Sequence, residues 1–190
     1  IQILPLPDVR ILNVDPIICK NQTPIPISRQ PVGGLLLPVK FSNGILDPNL
    51  LGVGIHTVSY YYEDPNGCSN TDEVEFQIVP KPYIAYNEVY RCDPQTLNLF
   101  NFSSSTTPIN SYWKIENKQI NNNKSSFNYQ FAKPGLQSIQ LRVVDQNNCS
   151  TDSVFQVYVP YQNISNVFIS DSIVLVGEEI QFRSTSSSPL

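Results

Sequence analysis

Residues 56–80 read HTVSYYYEDPNGCSNTDEVEFQIVP, and residues 137–160 read QSIQLRVVDQNNCSTDSVFQVYVP. With a one-residue gap the two stretches share one layout. Alternating apolar and polar residues lead into an acidic turn. Asn, Cys, Ser and Thr-Asp follow, and a second alternating stretch ends in proline. Period-two alternation is the pattern of a strand with one buried face. Asp64-Pro65-Asn66-Gly67 and Asp145-Gln146-Asn147-Asn148 carry turn chemistry, because Asn and Gly tolerate positive φ. Each stretch therefore reads as a β-hairpin that closes one repeat.

Working outward, Ile1-Gln2-Ile3-Leu4-Pro5 matches Phe76-Gln77-Ile78-Val79-Pro80 and Phe155-Gln156-Val157-Tyr158-Val159-Pro160. Val176-Gly177-Glu178-Glu179-Ile180-Gln181-Phe182-Arg183-Ser184 matches the stretch that opens at Cys92. The expected organisation is residues 1–7 as the last strand of a preceding repeat, 8–80 and 81–160 as complete β-sandwich repeats, and 161–190 as the first strands of a further, truncated one. The repeat length is roughly 75 to 80 residues, small enough that domains of this size often need covalent staples. With no Met and no leader-like segment, the first residue reads as something other than a natural N-terminus.

Composition agrees with an all-β, exported chain. Charged residues make up 15% of the 190, and 16 prolines and 8 glycines interrupt the sequence throughout, which argues against long helices. The net charge of −4 and the lack of any Lys/Arg cluster argue against a nucleic-acid partner. No apolar run approaches the ~20 residues needed to cross a bilayer as a helix, so direct membrane insertion is not expected.

The four cysteines fall in two similar contexts. Cys19 and Cys92 precede polar stretches leading into strands, whereas Cys68 and Cys149 follow the hairpin turns. There is no Cys-x-x-Cys pair and His56 is the one histidine, so neither a zinc site nor any other cofactor is expected. The economical pairing is two local disulfides, Cys19–Cys68 and Cys92–Cys149. They would be rim staples, each clipping a hairpin tip to an early strand, in an oxidising compartment. Closing loops of about 50 to 60 residues, each contributes roughly 4 kcal/mol by the chain-entropy account.

Two passages resemble known families. Tyr129-Gln130-Phe131-Ala132-Lys133-Pro134-Gly135, continuing through Ile139, Leu141 and Val143 to Asp145, is similar to the Y-x-F-x-x-P-G stretch and following strand of PKD domains. Trp113-Lys114-Ile115 sits where that family has its W-x-F strand, although Glu116-Asn117-Lys118 replaces the family's Gly-Asp-Gly turn. The first repeat resembles immunoglobulin-like repeats of large Bacteroidota surface proteins through Pro31-Val32-Gly33-Gly34, Phe41-Ser42-Asn43-Gly44, Asp47-Pro48, Gly52–Tyr60 and Asn66-Gly67-Cys68. The resemblance implies tandem Ig-like/PKD-like β-sandwiches, seven-stranded and Greek-key-like, in a type IX-secreted cell-surface chain such as the gliding-motility adhesins of the SprB type. It implies a non-catalytic, adhesive or structural role. Neighbouring repeats of the same chain would be its partners, with surface polysaccharide or a secretion or motility complex as further ones. The alternatives are an accessory PKD-like module of a secreted hydrolase, or a segment docked on a secretion or motility machine. Asp152-Ser153-Val154 and Asp171-Ser172-Ile173 resemble the O-glycosylation signal of that phylum, which implies Ser153 and Ser172 as modified hydroxyls.

Other candidate side chains read as structural. Trp113 fits a core aromatic, and Tyr60 and Tyr62 share one strand face with Tyr61 on the other. His56 has no nucleophile motif beside it, so no catalytic residue is expected. Glu63, Asp64, Asp72, Glu73, Asp145 and Asp152 lie near hairpin ends without the loop spacing of a calcium site, and read as solvated turn acids. Asn21, Asn101, Asn123, Asn148 and Asn163 fit the N-glycan acceptor pattern by coincidence in an Asn- and Ser-rich chain.

Overall fold

A computed structural model describes residues 4–90, 95–121, 123–161, 164–169, 173 and 175–187. Among these the chain is all-β. The first eight strands are β1 (Arg10–Ile11), β2 (Ile17–Cys19), β3 (Ile25–Pro26), β4 (Arg29–Gln30), β5 (Leu35–Leu37), β6 (Ile45–Leu46), β7 (Gly54–Glu63) and β8 (Ser69–Val79). The next seven are β9 (Tyr86–Tyr90), β10 (Thr96–Asn101), β11 (Ile109–Ile115), β12 (Lys118–Asn121), β13 (Ser126–Gln130), β14 (Gly135–Asp145) and β15 (Ser150–Val159). Strands β16 (Ile164–Ile169) and β17 (Phe182–Ser187) form a separate antiparallel pair. The one helical element among the described residues is a 3-10 turn at Val39–Phe41.

The chain divides into two compact units. The first comprises Ile1–Tyr83, Ser104–Asn110 and Val143–Thr151, and the second Ile84–Ser103, Ser111–Arg142 and Asp152–Leu190. In the first, β7 and β8 form the hairpin read from sequence, in register from Gly54↔Ile78 to Glu63↔Ser69. Strand β5 pairs antiparallel with β7, and β2 pairs parallel with β8, giving the sheet order β2-β8-β7-β5. The two-residue pairs β1-β4 and β3-β6 complete the fold. The alternation of β7 and β8 turns Val58, Tyr60, Phe76 and Ile78 inward. There they join Ile18, Leu36, Phe41 and Leu46 in one buried cluster. A sheet with one apolar face is stable only when a second layer covers that face, and the short pairs do so here.

In the second unit the sheets are β13-β10-β9 and β12-β11-β14-β15, seven strands in all. Leu97 and Leu99 of β10, Trp113 and Ile115 of β11, and Ile139 and Leu141 of β14 are buried. Trp113 touches Phe127 of β13 and Phe155 of β15 edge to face, with ring centroids 5.5 and 6.2 Å apart. Such aromatic pairs add about 1 kcal/mol each beyond the area they bury. The chain is thus built of all-β sandwiches, as the alternation indicated. Gly67, Asn148 and Gly135 have φ of +80°, +60° and +96°, the left-handed conformations their turns require. Between β11 and β12, Glu116 and Asn117 take up positive φ of +49° and +63°. Glu116 is tied down there by its carboxylate, which accepts the Ala132 N–H at 2.9 Å and the Tyr129 hydroxyl at 3.2 Å.

Candidate functional site

The two hairpin turns are alike atom by atom. In the first, Asp64 Oδ1 accepts the N–H groups of Asn66 at 2.8 Å and Cys68 at 2.9 Å, and Asp64 N–H donates to the Cys68 carbonyl at 2.9 Å. In the second, Asp145 Oδ1 accepts those of Asn147 at 2.9 Å and Cys149 at 3.0 Å, and Asp145 N–H donates to the Cys149 carbonyl at 2.9 Å. The N–H bonds, that of Cys68 foremost, hold the Asp64 carboxyl below the usual aspartate range. An aspartate therefore stands four residues before each tip cysteine because its side chain closes the turn. Asp145 does more. It is buried, and its Oδ2 accepts the Ser105 hydroxyl at 2.8 Å.

The disulfide joins Cys19 to Cys149, with Cα atoms 5.5 Å apart and 130 residues between them in sequence. Cys68 is a free thiol. The expected Cys19–Cys68 bond is thus replaced, and Cys149 is not available to Cys92, which lies outside the described residues. The physical reason is the direction of β2. It runs parallel to β8 with Cys19 opposite Val79, so Cys19 sits at the far end of β8 from the tip that carries Cys68. Eleven residues of strand separate the two positions, about 36 Å at roughly 3.3 Å per residue, where a disulfide tolerates a Cα separation of only about 4.4–6.8 Å.

Around the bond the Cys149 tip is held by hydrogen bonds as well. Asn21 Nδ2 donates to the Ser150 carbonyl at 2.6 Å, and Thr151 Oγ1 donates to the Pro82 carbonyl at 2.7 Å. Lys20 N–H donates to the Val79 carbonyl at 2.9 Å, which fixes the backbone next to Cys19. A polar groove of ≈ 470 Å³ runs beside the disulfide, lined by Asp15, Gln22, Asn147 and Asn148 among others. Cys149 itself is fully buried.

The remaining sequence candidates serve the scaffold. Trp113 is buried in the second unit's core. Tyr60 is buried, and its hydroxyl donates to the Pro31 carbonyl and accepts the Gly34 N–H at 2.8 Å, whereas Tyr61 is exposed and bonded to Glu63. His56 lies 2.7 Å from the Gly52 carbonyl through Nε2 and tilts over Phe76. Asp72 accepts the Ile11 N–H at 2.7 Å, Glu73 the Ser59 hydroxyl at 2.8 Å, and Asp152 lies 4.0 Å from Arg142. Among the described residues no three His, Cys, Asp or Glu side chains are grouped to hold a metal ion. The amides of Asn21 and Asn101 are engaged with Ser150 and Ser111. Ser153 is half-buried on β15, and Ser172 lies outside the described residues. The turn acids were expected to be solvated, but Asp145 is buried and anchors the tip. The shared spacing of Asp64 to Cys68 and Asp145 to Cys149 carries a signal for the turn-closing role, though not for the burial of Asp145, which Asp64 does not share.

No protein-family model matches the chain, and no curated protein matches it. Among solved structures, the PKD1 domain of Vibrio anguillarum Epp is similar over 43% of this chain and 95% of that domain, with 13% sequence identity and a TM-score of 0.38. Among the described residues no helix is long and apolar enough to cross a membrane.

Proposed function

We propose that this chain is a non-catalytic, load-bearing segment of an exported array of β-sandwich repeats, acting as spacer and adhesive stalk at a cell surface. The observation that carries the reading is the Cys19–Cys149 bond. It runs from an early strand of one sequence repeat to the closing hairpin of the next, so tension entering near residue 19 can leave near residue 149 through a covalent bond. The intervening chain is then shielded from extension. A disulfide also fits an oxidising, extracellular setting. Pro80-Lys81-Pro82 between the repeats fits the same role, because proline fixes φ and stiffens a link. The finer reading is a surface adhesin of the type IX-secreted, gliding-motility kind, with neighbouring repeats as its partners.

Single-molecule force spectroscopy tests the mechanical role. With handles at the two ends, the chain should release about 440 Å less contour length when oxidised than when reduced, from a 130-residue separation at roughly 3.4 Å per residue. Equal contour lengths in the two states would overturn the reading.

A further inference from the structure

The two four-stranded sheets carry opposite chemistry on their outer faces. In the first unit, the alternation that turns Val58, Tyr60, Phe76 and Ile78 inward turns Ile55, Tyr61, Glu63, Glu73 and Glu75 outward. Leu35 and Leu37 of β5 lie opposite Tyr61 and Ser59 and join that face. All four apolar side chains, Leu35, Leu37, Ile55 and Tyr61, are exposed. Strands β2, β5, β7 and β8 contain no Lys or Arg. The Tyr61 hydroxyl donates to Glu63 and the Ser59 hydroxyl to Glu73, each at 2.8 Å, which holds two of the carboxylates in place. An apolar patch within a charged rim is the anatomy of a protein contact.

In the second unit, the sheet β12-β11-β14-β15 turns Lys114, Gln140, Arg142, Val154 and Tyr158 outward. Two shallow depressions of ≈ 230 Å³ each share Lys114 and Gln140, and a third, beside the β11–β12 turn, adds Lys118 and Lys133. The ammonium groups of Lys114, Lys118 and Lys133 make no hydrogen bond or ion pair among the described residues. The acids on this side are already engaged. Glu116 accepts from Ala132 and Tyr129, and Asp152 lies 4.0 Å from Arg142. In the first unit, by contrast, Lys20 donates to the Asn49 and Leu51 carbonyls, and Arg10 pairs with Asp8.

We propose that the outer face of the first unit's sheet is a docking surface for a second copy of this chain, which meets it with the outer face of its own second unit's sheet. Charge complementarity selects this occupant. Two first-unit faces brought together would set carboxylates against carboxylates. The second-unit face instead sets unengaged ammonium groups toward Glu63, Glu73 and Glu75, and offers Val154 and Tyr158 to Leu35, Leu37 and Ile55. Apolar burial supplies the affinity of such a contact, and the opposed charges fix its partner and register. The two surfaces are unlike, so the contact either closes as a reciprocal pair or runs on from copy to copy. It joins chains side by side, which goes beyond the covalent path proposed above and does not depend on it.

Sedimentation velocity on the full 190-residue chain tests this, with free thiols alkylated so that no disulfide joins copies. The parent should self-associate with rising concentration at about 0.05 M salt, and less so at about 0.5 M, where surface charges are screened. Glu73→Lys with Glu75→Lys makes the first face basic, and Lys114→Glu with Lys118→Glu makes the second acidic. Each double variant alone should associate about a hundredfold more weakly than the parent, because like charges then face each other. An equimolar mixture of the two variants should associate again, because each basic face then finds an acidic one. That recovery also shows that both variants are folded. A parent that stays monomeric throughout overturns the proposal. So does an association that survives either reversal, or a loss that mixing does not restore. Failure here leaves the load-bearing reading standing, because the force measurement reads a single chain.

Discussion

Replacing Asp145 by Ala tests how the second tip is held. Its carboxylate accepts three hydrogen bonds, from Asn147 N–H at 2.9 Å, Cys149 N–H at 3.0 Å and the Ser105 hydroxyl at 2.8 Å. Hydrogen bonds to a charged group contribute about 1.5–3 kcal/mol each, and a buried donor left without an acceptor costs its full desolvation. The Cys149 N–H is buried and loses its partner outright, whereas water can reach the partly buried Asn147 N–H. The Ser105 hydroxyl can turn toward another acceptor. Counting the Cys149 bond in full and the other two in part gives a loss of about 3–5 kcal/mol for Asp145→Ala. Asp145→Asn keeps an oxygen for the two N–H groups, and its amide can donate to Ser105, so its cost should be about 1 kcal/mol. Urea denaturation followed by far-UV circular dichroism measures both. If Asp145→Ala stays within 1 kcal/mol of the parent, or costs no more than Asp145→Asn, the carboxylate does not hold the turn.

Three further outcomes are expected. Gly34→Ala should destabilise by about 2–3 kcal/mol in the same assay, because a Cβ there would stand 2.2 Å from the Tyr61 carbonyl oxygen and 2.7 Å from the Tyr60 ring, and backbone cannot step aside as a flexible side chain would. Cys19→Ser should cost about 5 kcal/mol by the chain-entropy account of a 130-residue closure, whereas Cys68→Ser in the isolated chain should leave the urea midpoint unchanged. Because the Asp64 carboxyl is held below its ordinary 3.8, chiefly by the Cys68 N–H, its contribution is fully present above about pH 4 and is lost as pH falls through the lowered value. Asp64→Asn should therefore flatten the stability profile below pH 4 in acid titrations followed by circular dichroism.

Both long hairpins were legible in the sequence because everything that specifies them is local. Alternation fixes the buried face of β7, β8, β14 and β15, and an Asp-led turn fixes the register at each tip. Trp113 was legible as a core aromatic from its residue type, and alternation set Tyr60 apart from Tyr61 without saying which face is buried. Strands β1, β3, β4 and β6 were not legible, because two residues are too few to show a period. The disulfide partner was misread for a related reason. Cysteine spacing favours the nearer tip, but the partner is decided by the parallel pairing of β2 with β8, a long-range contact that leaves no periodic trace. Asp145 looked like any turn acid because its burial depends on Ser105, forty residues away.

The load-bearing account stands most directly on the identity of one bond. Non-reducing peptide mapping of the oxidised chain should recover the Cys19 peptide joined to the Cys149 peptide, with Cys68 open to alkylation. A Cys19–Cys68 link would contradict the parallel pairing of β2 with β8. It would also remove the covalent path on which the proposed mechanical function rests.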